Sequence, residues 1–414
     1  MGTTGAGGVI TLTEADLDPY VTHAETRQLL TGPGLPSEDA LLGFGALAGQ
    51  PALRRIAELV DDAEKLAEEL RDQLVIGALR TVDRDLESLV LNGTTGEVFT
   101  TYIHPRHPAL MDLSPLAPSL EALLRFAAAT HELTASRDPF APTGYGAEAV
   151  REASERLASV FAADGGDEVA PYWRMTALIR PLARIGRPGE GLALDLPPRL
   201  LDEEFGTAAI VRFEDVDFPG VLTHEPTRRF LSEVGLPENG YWYELDTDVP
   251  LPTLAEHYAD DDGFRAVSLP EGAERLIRLG SLLEDTSLVL DGATGAVLCF
   301  SEPDACLRPL NADISTLGFT VWLVHREKAL DTEHDLTAEY EQLAATMAGT
   351  LAAVDPVACD RTPRTPHDDG RRYWPEAFED QAGGGLYAQA LRGNRGSSSE
   401  GSSWRERRAC WAPL

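Results

Sequence analysis

His23-Ala24-Glu25 has the H-x-E form in which zinc deaminases place a metal ligand beside a proton-transferring carboxylate, and those sites are completed by Pro-Cys-x-x-Cys. The completing half is missing, because Pro303-Asp304-Ala305-Cys306 offers one cysteine and Cys359 is distant. His104 and His107, in the order His-Pro-Arg-His, fall in a proline-bearing loop with no second histidine pair to match them. No G-x-S-x-G elbow and no Walker loop occurs, and Gly292 to Gly295 is too short to cradle phosphates. The carboxylate runs Glu203-Glu204, Glu214-Asp215 with Asp217, and Asp260-Asp261-Asp262 are dense enough to hold a cation, move a proton or face a basic partner. A metal-assisted hydrolase built on such a run is one reading. With no nucleophile, base and orienting group in any motif, we read the runs as partner-facing and expect no catalytic residue, metal or cofactor.

The elements that must carry these residues come in two copies. Thr22-His23-Ala24-Glu25-Thr26-Arg27 with Gly34-Leu35-Pro36 returns 201 positions later as Thr223-His224-Glu225-Pro226-Thr227-Arg228 with Gly235-Leu236-Pro237. Leu89-Val90-Leu91-Asn92-Gly93 with Thr95, Gly96 and Val98 returns as Leu288-Val289-Leu290-Asp291-Gly292 with Thr294, Gly295 and Val297, 199 positions away. At that same offset Leu120, Leu123 and Leu124 meet Phe319, Trp322 and Leu323, and Tyr172-Trp173 returns as Tyr373-Trp374. The order is kept, so the chain reads as a tandem duplication with units 1–190 and 191–385, divided at the Gly186–Gly191 stretch.

Each block has a local meaning. Thr22-x-x-Glu25 is a capping box for a helix start, Thr223 caps likewise, and Pro226 suits the first turn. Gly34 and Gly235, each followed by Leu-Pro, end that helix. Asn92-Gly93 and Asp291-Gly292 between β-rich flanks predict hairpins, each followed by an amphipathic helix. Leu53, Ile56, Val60, Ala63, Ala67, Leu70 and Leu74 recur at helical spacing and predict a long helix in unit one. Leu336, Tyr340, Leu343, Met347 and Leu351 predict a late helix in unit two, with Asp335 as N-cap. Trp173 and Trp374, at matched places, are expected in the core rather than on a binding platform. Helix and hairpin signals alternate without a βαβ rhythm, so the expected class is α+β with largely antiparallel sheet.

Charge narrows the partners. Over 414 residues, 35 Lys and Arg oppose 68 Asp and Glu, a net −33 that disfavours a grip on nucleic-acid phosphates and favours a basic partner. Residues 1–190 carry −12 and residues 191–390 carry −24, while the Ser-, Gly- and Arg-rich end is +3 and, over 386–414, has the composition of a disordered tail. Four cysteines matching no disulfide framework suit a reducing cytoplasm. No stretch reads as a membrane span or signal peptide, and Ala6 breaks the myristoylation pattern, so no membrane partner is expected.

A helix ending in Gly-Leu-Pro (Gly34, Pro36; Gly235, Pro237), a hairpin with Gly93 and Gly96 or with Asp291, Gly292 and Gly295, a helix with aromatic and leucine positions including Trp322, and a late Tyr-Trp step at Trp173 and Trp374 together resemble the SUKH superfamily of bacterial immunity proteins, in particular its fourth family. Unit two is the better match; unit one departs at Asn92 and in its loop. The resemblance implies two tandem SUKH-like units that bind and block a toxin domain of a polymorphic toxin system, many such toxins being nucleases or nucleic-acid deaminases. It carries over no catalytic residue. An intracellular scaffold or regulatory adaptor is the alternative, as for some distant members of the superfamily.

Overall fold

The computed structural model describes the chain except for residues 1–2, 5–7, 38, 40, 46, 48–52, 83, 136–143, 166–168, 260–268, 284, 364–369 and 388–414. Unit one begins with β1 (Thr3–Thr4), β2 (Val9–Thr11), α1 (Glu14–Leu17), α2 (Ala24–Thr31) and β3 (Leu35–Pro36). Its main sheet follows: β4 (Leu42–Gly43), β5 (Arg54–Arg55), β6 (Leu74–Arg80), β7 (Asp85–Leu91), β8 (Val98–Thr101) and β9 (Ser114–Ala117), with the short α3 (Glu68–Arg71) between β5 and β6. Then come α4 (Leu120–Ala135), α5 (Ala147–Gly165) and α6 (Pro171–Ile179), and β10 (Arg187–Pro188) pairs with β11 (Leu194–Asp195) as a small hairpin spanning the Gly186–Gly191 stretch.

Unit two repeats the plan. It runs α7 (Leu200–Phe205), β12 (Ile210–Val211), α8 (Glu225–Glu233), β13 (Leu236–Pro237), β14 (Tyr243–Leu245) and α9 (Leu254–Ala259). The sheet strands β15 (Leu276–Leu282), β16 (Thr286–Asp291), β17 (Val297–Ser301) and β18 (Cys306–Asn311) precede α10 (Ile314–His334), α11 (Tyr340–Val354) and α12 (Tyr373–Glu379). The main sheets run β4-β6-β7-β8-β9, with β5 also on β6, and β14-β15-β16-β17-β18; every pairing is antiparallel. This is an α+β fold built twice.

Alternation along the strands buries both faces of each sheet. In unit one Ile76, Leu89 and Leu91 face α4, α5 and α6 in the main core, while Val90 and Val75 turn to a smaller cluster with Ile56, Leu66 and Leu70. In unit two Leu288 and Leu290 face α10 and α11, while Leu276, Val289 and Phe300 meet Leu254 and Tyr258 of α9. Trp173 and Trp374 are buried anchors: their indole N–H groups donate to Leu116 O and Asn311 Oδ1, both at 2.9 Å, near the ends of equivalent strands. Trp322 is buried beside Phe319.

The repeated Thr-His-x-x-Thr-Arg segment ties a helix start to the hairpin. The Thr22 and His23 amides donate to Gly93 O at 2.8 and 3.0 Å, and those of Thr223 and His224 donate to Gly292 O at the same two distances. Each histidine Nδ1 pairs with the threonine hydroxyl three residues on, Thr26 at 2.9 Å and Thr227 at 2.8 Å. This corrects the capping-box reading. The N-caps are His23 and His224, without a side-chain cap bond, because the amides ahead of the helices are already held by the hairpin turn. Pro226 does sit in the first turn of α8, and Gly34 and Gly235 reverse the chain at φ +76° and +79°.

The hairpins form as the turn residues predict. Asn92 Oδ1 accepts from the Thr94 and Thr95 amides, and Asp291 Oδ1 accepts from those of Ala293 and Thr294, so amide and carboxylate serve equally. A Cβ on Gly93 or Gly292 would lie 2.1 or 2.4 Å from the carbonyl oxygen of Tyr20 or Val221, which fixes glycine there.

Four further expectations are corrected. Residues 53–74 hold no long helix but β5, two one-turn 3-10 segments, α3 and the start of β6. The helix equivalence at offset 199 is out of register. Val98 pairs with Ala117 as Val297 pairs with Asn311, which sets the offset after the hairpin at 194 and aligns Leu120 with Ile314. Asp335 ends α10 in the left-handed region at φ +52°, and Asp331 instead accepts from the Thr337 amide and hydroxyl at 2.7 and 2.9 Å. Leu386 and Tyr387, assigned by composition to the tail, are packed on the body: Lys328 Nζ donates to Gly385 O and Tyr387 O, and Leu386 is fully buried. The rest of that tail, 388–414, lies outside the described residues.

Candidate partner-binding surface

The carboxylates singled out on unit two occupy two adjoining segments. On α7, Asp202 turns inward to Arg212 at 2.7 Å and Glu204 Oε1 hydrogen-bonds His325 Nδ1 at 2.9 Å, which leaves Glu203 exposed. Arg212 leads into the Glu214–Asp217 turn, where the Asp217 carboxylate accepts from the Glu214 amide at 2.7 Å. Asp215 is exposed yet pairs with Arg228 Nη2 at 3.0 Å, and Glu214 faces solvent beside Val216. In unit one the matching turn is capped by Thr13 and Asp16, and Arg27 there bonds Glu14 as Arg228 bonds Asp215. Glu204, Asp215 and Asp217 therefore have internal partners, Asp215 while still exposed, and Glu203 and Glu214 face solvent; Asp260, Asp261 and Asp262 lie outside the described residues.

The described histidines do not gather into a metal site. His23 and His224 belong to the helix–hairpin tie, His104 stacks on Tyr102 with ring centroids 4.6 Å apart, and His107 is exposed in the same loop. Among the described residues no group of three His, Cys, Asp or Glu side chains is placed to hold a metal, and no helix is long and apolar enough to cross a membrane.

The residue pattern gave no warning of an open groove of about 500 Å³ on the second face of the unit-one sheet. Its floor is backbone-rich, with Gly43, Gly77 and Ala78 on β4 and β6, and Tyr102 and Ile103 form one wall. Arg80 and Asp85, loosely paired at 3.6 Å, stand at the rim. Glu87 lies nearby toward unit two; burial raises its carboxyl pKa, against a hydrogen bond from Gln342 Nε2 at 2.8 Å.

Strand register shows how described residues of unit two fill the equivalent place. Both second strands slip at a matched glycine, between Val75 and Gly77 and between Arg278 and Gly280, which aligns Val75 with Arg278. The same ladders align Gly43 with Glu244 and Ser88 with Ser287. Where unit one is bare, unit two has Arg278 bonded to Asp246 and to Ser287, with Tyr258 of α9 reaching over to Glu302 Oε1 at 2.8 Å. The one clue in the sequence was length. Thirteen residues lie between Thr100 and Ser114, eight between their equivalents Cys299 and Arg308, and the longer connection carries Tyr102, His104, His107 and Leu110.

The sequence model of the SUKH-4 immunity protein family matches residues 2–164 and again 196–380. The chain belongs to the SUKH-4 immunity protein family. The two matches fall on the two structural repeats, so this SUKH-4 protein carries the family's unit twice. No curated protein and no solved structure matches the chain.

Proposed function

We propose that this SUKH-4 protein neutralises a toxin domain by occupying it stoichiometrically, without chemistry of its own, in the cytoplasm of a bacterium carrying a polymorphic toxin system. The observation that carries the reading is the family match over both halves of the chain. Charge narrows the toxin. The second unit and its following residues, 191–390, carry −24, and a toxin that attacks DNA or RNA needs a basic groove, so a nuclease or nucleic-acid deaminase is the complementary partner. The exposed carboxylates Glu203, Glu214 and Asp215, together with Asp260, Asp261 and Asp262, supply an attractive field that speeds encounter. Domain limits of 1–190 and 191–385 follow from the repeat.

Co-expression tests the reading. Cells producing the toxin domain encoded beside this gene should regain growth when this protein is supplied, and unrescued growth refutes it. In the purified complex, Glu203→Gln, Glu214→Gln and Asp215→Asn combined with Asn at 260–262 should slow association roughly tenfold at low salt and flatten its salt dependence, with little change in dissociation. An association rate equal to wild type would move the contact off this face.

A further inference from the structure

We propose that the groove on unit one is the anchoring half of the toxin contact: it receives a loop of the toxin domain that seats one bulky apolar side chain over Gly43 and Gly77 and lays a basic residue on Asp85. The inference rests on the toxin-binding reading and says where the long-lived part of the contact is.

Three observations converge. First, among the described residues the equivalent place in unit two is filled. The kindred sheet face is sealed by its own Arg278, Tyr258 and Glu302, so the opening is not a requirement of the fold. Second, its wall is apolar and exposed. Tyr102 is 52 % accessible, and Leu110, in the longer connection that starts at the groove, is 71 % accessible. Large apolar groups left in water beside a concavity mark protein-binding surfaces, and tyrosine is a preferred anchor at such places. Third, the charge fits a basic loop. The rim has Asp85, with 71 % of its side chain exposed and only a 3.6 Å contact to Arg80, within a half of the chain that carries −12. An arginine from the partner can replace Arg80 there with a closer, bidentate bond.

The two surfaces then do different jobs. Dispersed exposed charge governs how fast partners meet, whereas apolar side chains seated in a desolvated pocket govern how slowly they part. The full-length protein and the catalytically inactivated toxin domain from the adjacent gene, measured by surface plasmon resonance, separate them. Tyr102→Asp, at an exposed position, and Ser88→Phe, which fills the groove, should each raise the dissociation rate tenfold or more and leave association within twofold of wild type. Glu203→Gln with Glu214→Gln should do the reverse. Wild-type dissociation rates in both Tyr102→Asp and Ser88→Phe would overturn the groove while leaving the toxin reading intact. A wild-type protein that does not bind the toxin domain at all refutes that reading, and the groove's assignment with it. If the wild type alone is a dimer in light scattering and Tyr102→Asp is a monomer, the occupant is a second copy of this chain and the proposal fails.

Discussion

Replacing Glu327 by glutamine should convert a pH-dependent stability into a flatter one. Glu327 lies on α10, is wholly buried, and neither of its carboxylate oxygens has a hydrogen-bond partner among the described residues. Burial pushes its pKa well above the usual carboxyl range; the adjacent Lys328 ammonium works against that shift and Asp331 adds to it. Lys328 itself is pulled down by burial but holds two carbonyls and lies over the Tyr241 ring at 4.7 Å. Above the unfolded value of 4.5 the unfolded chain releases the Glu327 proton while the folded chain keeps it. The folded state then binds one more proton than the unfolded state, so stability falls as pH rises, by about 1.4 kcal/mol per pH unit for one group. Between pH 5 and pH 7 the stability of Glu327→Gln should rise relative to wild type by about 2–3 kcal/mol, on top of any constant offset from the new amide. Urea unfolding of both proteins at pH 5, 6 and 7 gives that difference directly, and titrating groups that do not interact with Glu327 cancel in it. A difference constant to within about 0.5 kcal/mol across the range would mean that Glu327 is ionised in the folded protein and that the burial argument is wrong.

Two other perturbations test the architecture. Gly292→Ala sets a Cβ 2.4 Å from Val221 O and should cost a few kcal/mol by forcing the hairpin turn off the α8 start, whereas Gly220→Ala, with nothing within 4 Å, should be near neutral by thermal unfolding. Trp374→Phe removes the donor to Asn311 Oδ1, a buried acceptor, and should lose about 2 kcal/mol or more, read from the shift in urea midpoint; a loss below about 0.5 kcal/mol would mean the hydrogen bond is dispensable.

Local chemistry was legible in the sequence and non-local chemistry was not. Asn92-Gly93 and Asp291-Gly292 announce hairpins because the side chain at the first position bonds amides two and three residues on, all within the motif. The buried tryptophans were legible for a similar reason, as repeated large aromatics at a helix start. Residues 53–74 misled because one apolar periodicity serves two cores: Leu53 and Leu74 enter the main core, while Ile56, Leu66 and Leu70 cover the other sheet face. A helix presents a single stripe, and these side chains had to point to opposite sides of a sheet that the pattern does not reveal. The capping box failed because the helix starts one residue later, at His23 and His224, and the threonine amide ahead of it is held by the Gly93 or Gly292 carbonyl some 70 residues away in sequence. Of the carboxylate runs, only spatial neighbours such as Arg212, Arg228 and His325 decide which members face outward. Beyond the longer connection, the groove could not be read, since it arises from Val75 and Gly43 being smaller than Arg278 and Glu244 at places that only strand register brings into correspondence.

The duplication would mean little for binding if the two units moved independently, and the packing argues that they do not. Met175, Ile179, Leu182 and Ile185, at the end of unit one, lie in the same core as Trp322, Trp374 and Phe378 of unit two. Helix α11 of unit two crosses onto unit one, where Gln342 bonds Glu87, Ala345 meets the unit-one core, and Arg84 pairs with Glu379 at 3.3 Å. At Gly349 a Cβ would come within 2.5 Å of the Arg180 guanidinium nitrogens, which accounts for a glycine in the middle of α11: the helix backbone itself meets the arginine. Separating the units would expose this shared core, so the groove on one and the acidic turn on the other are held at a fixed spacing. A rigid partner that engages one is then presented to the other at high effective concentration, and two modest contacts on one chain can hold a toxin that neither would hold alone.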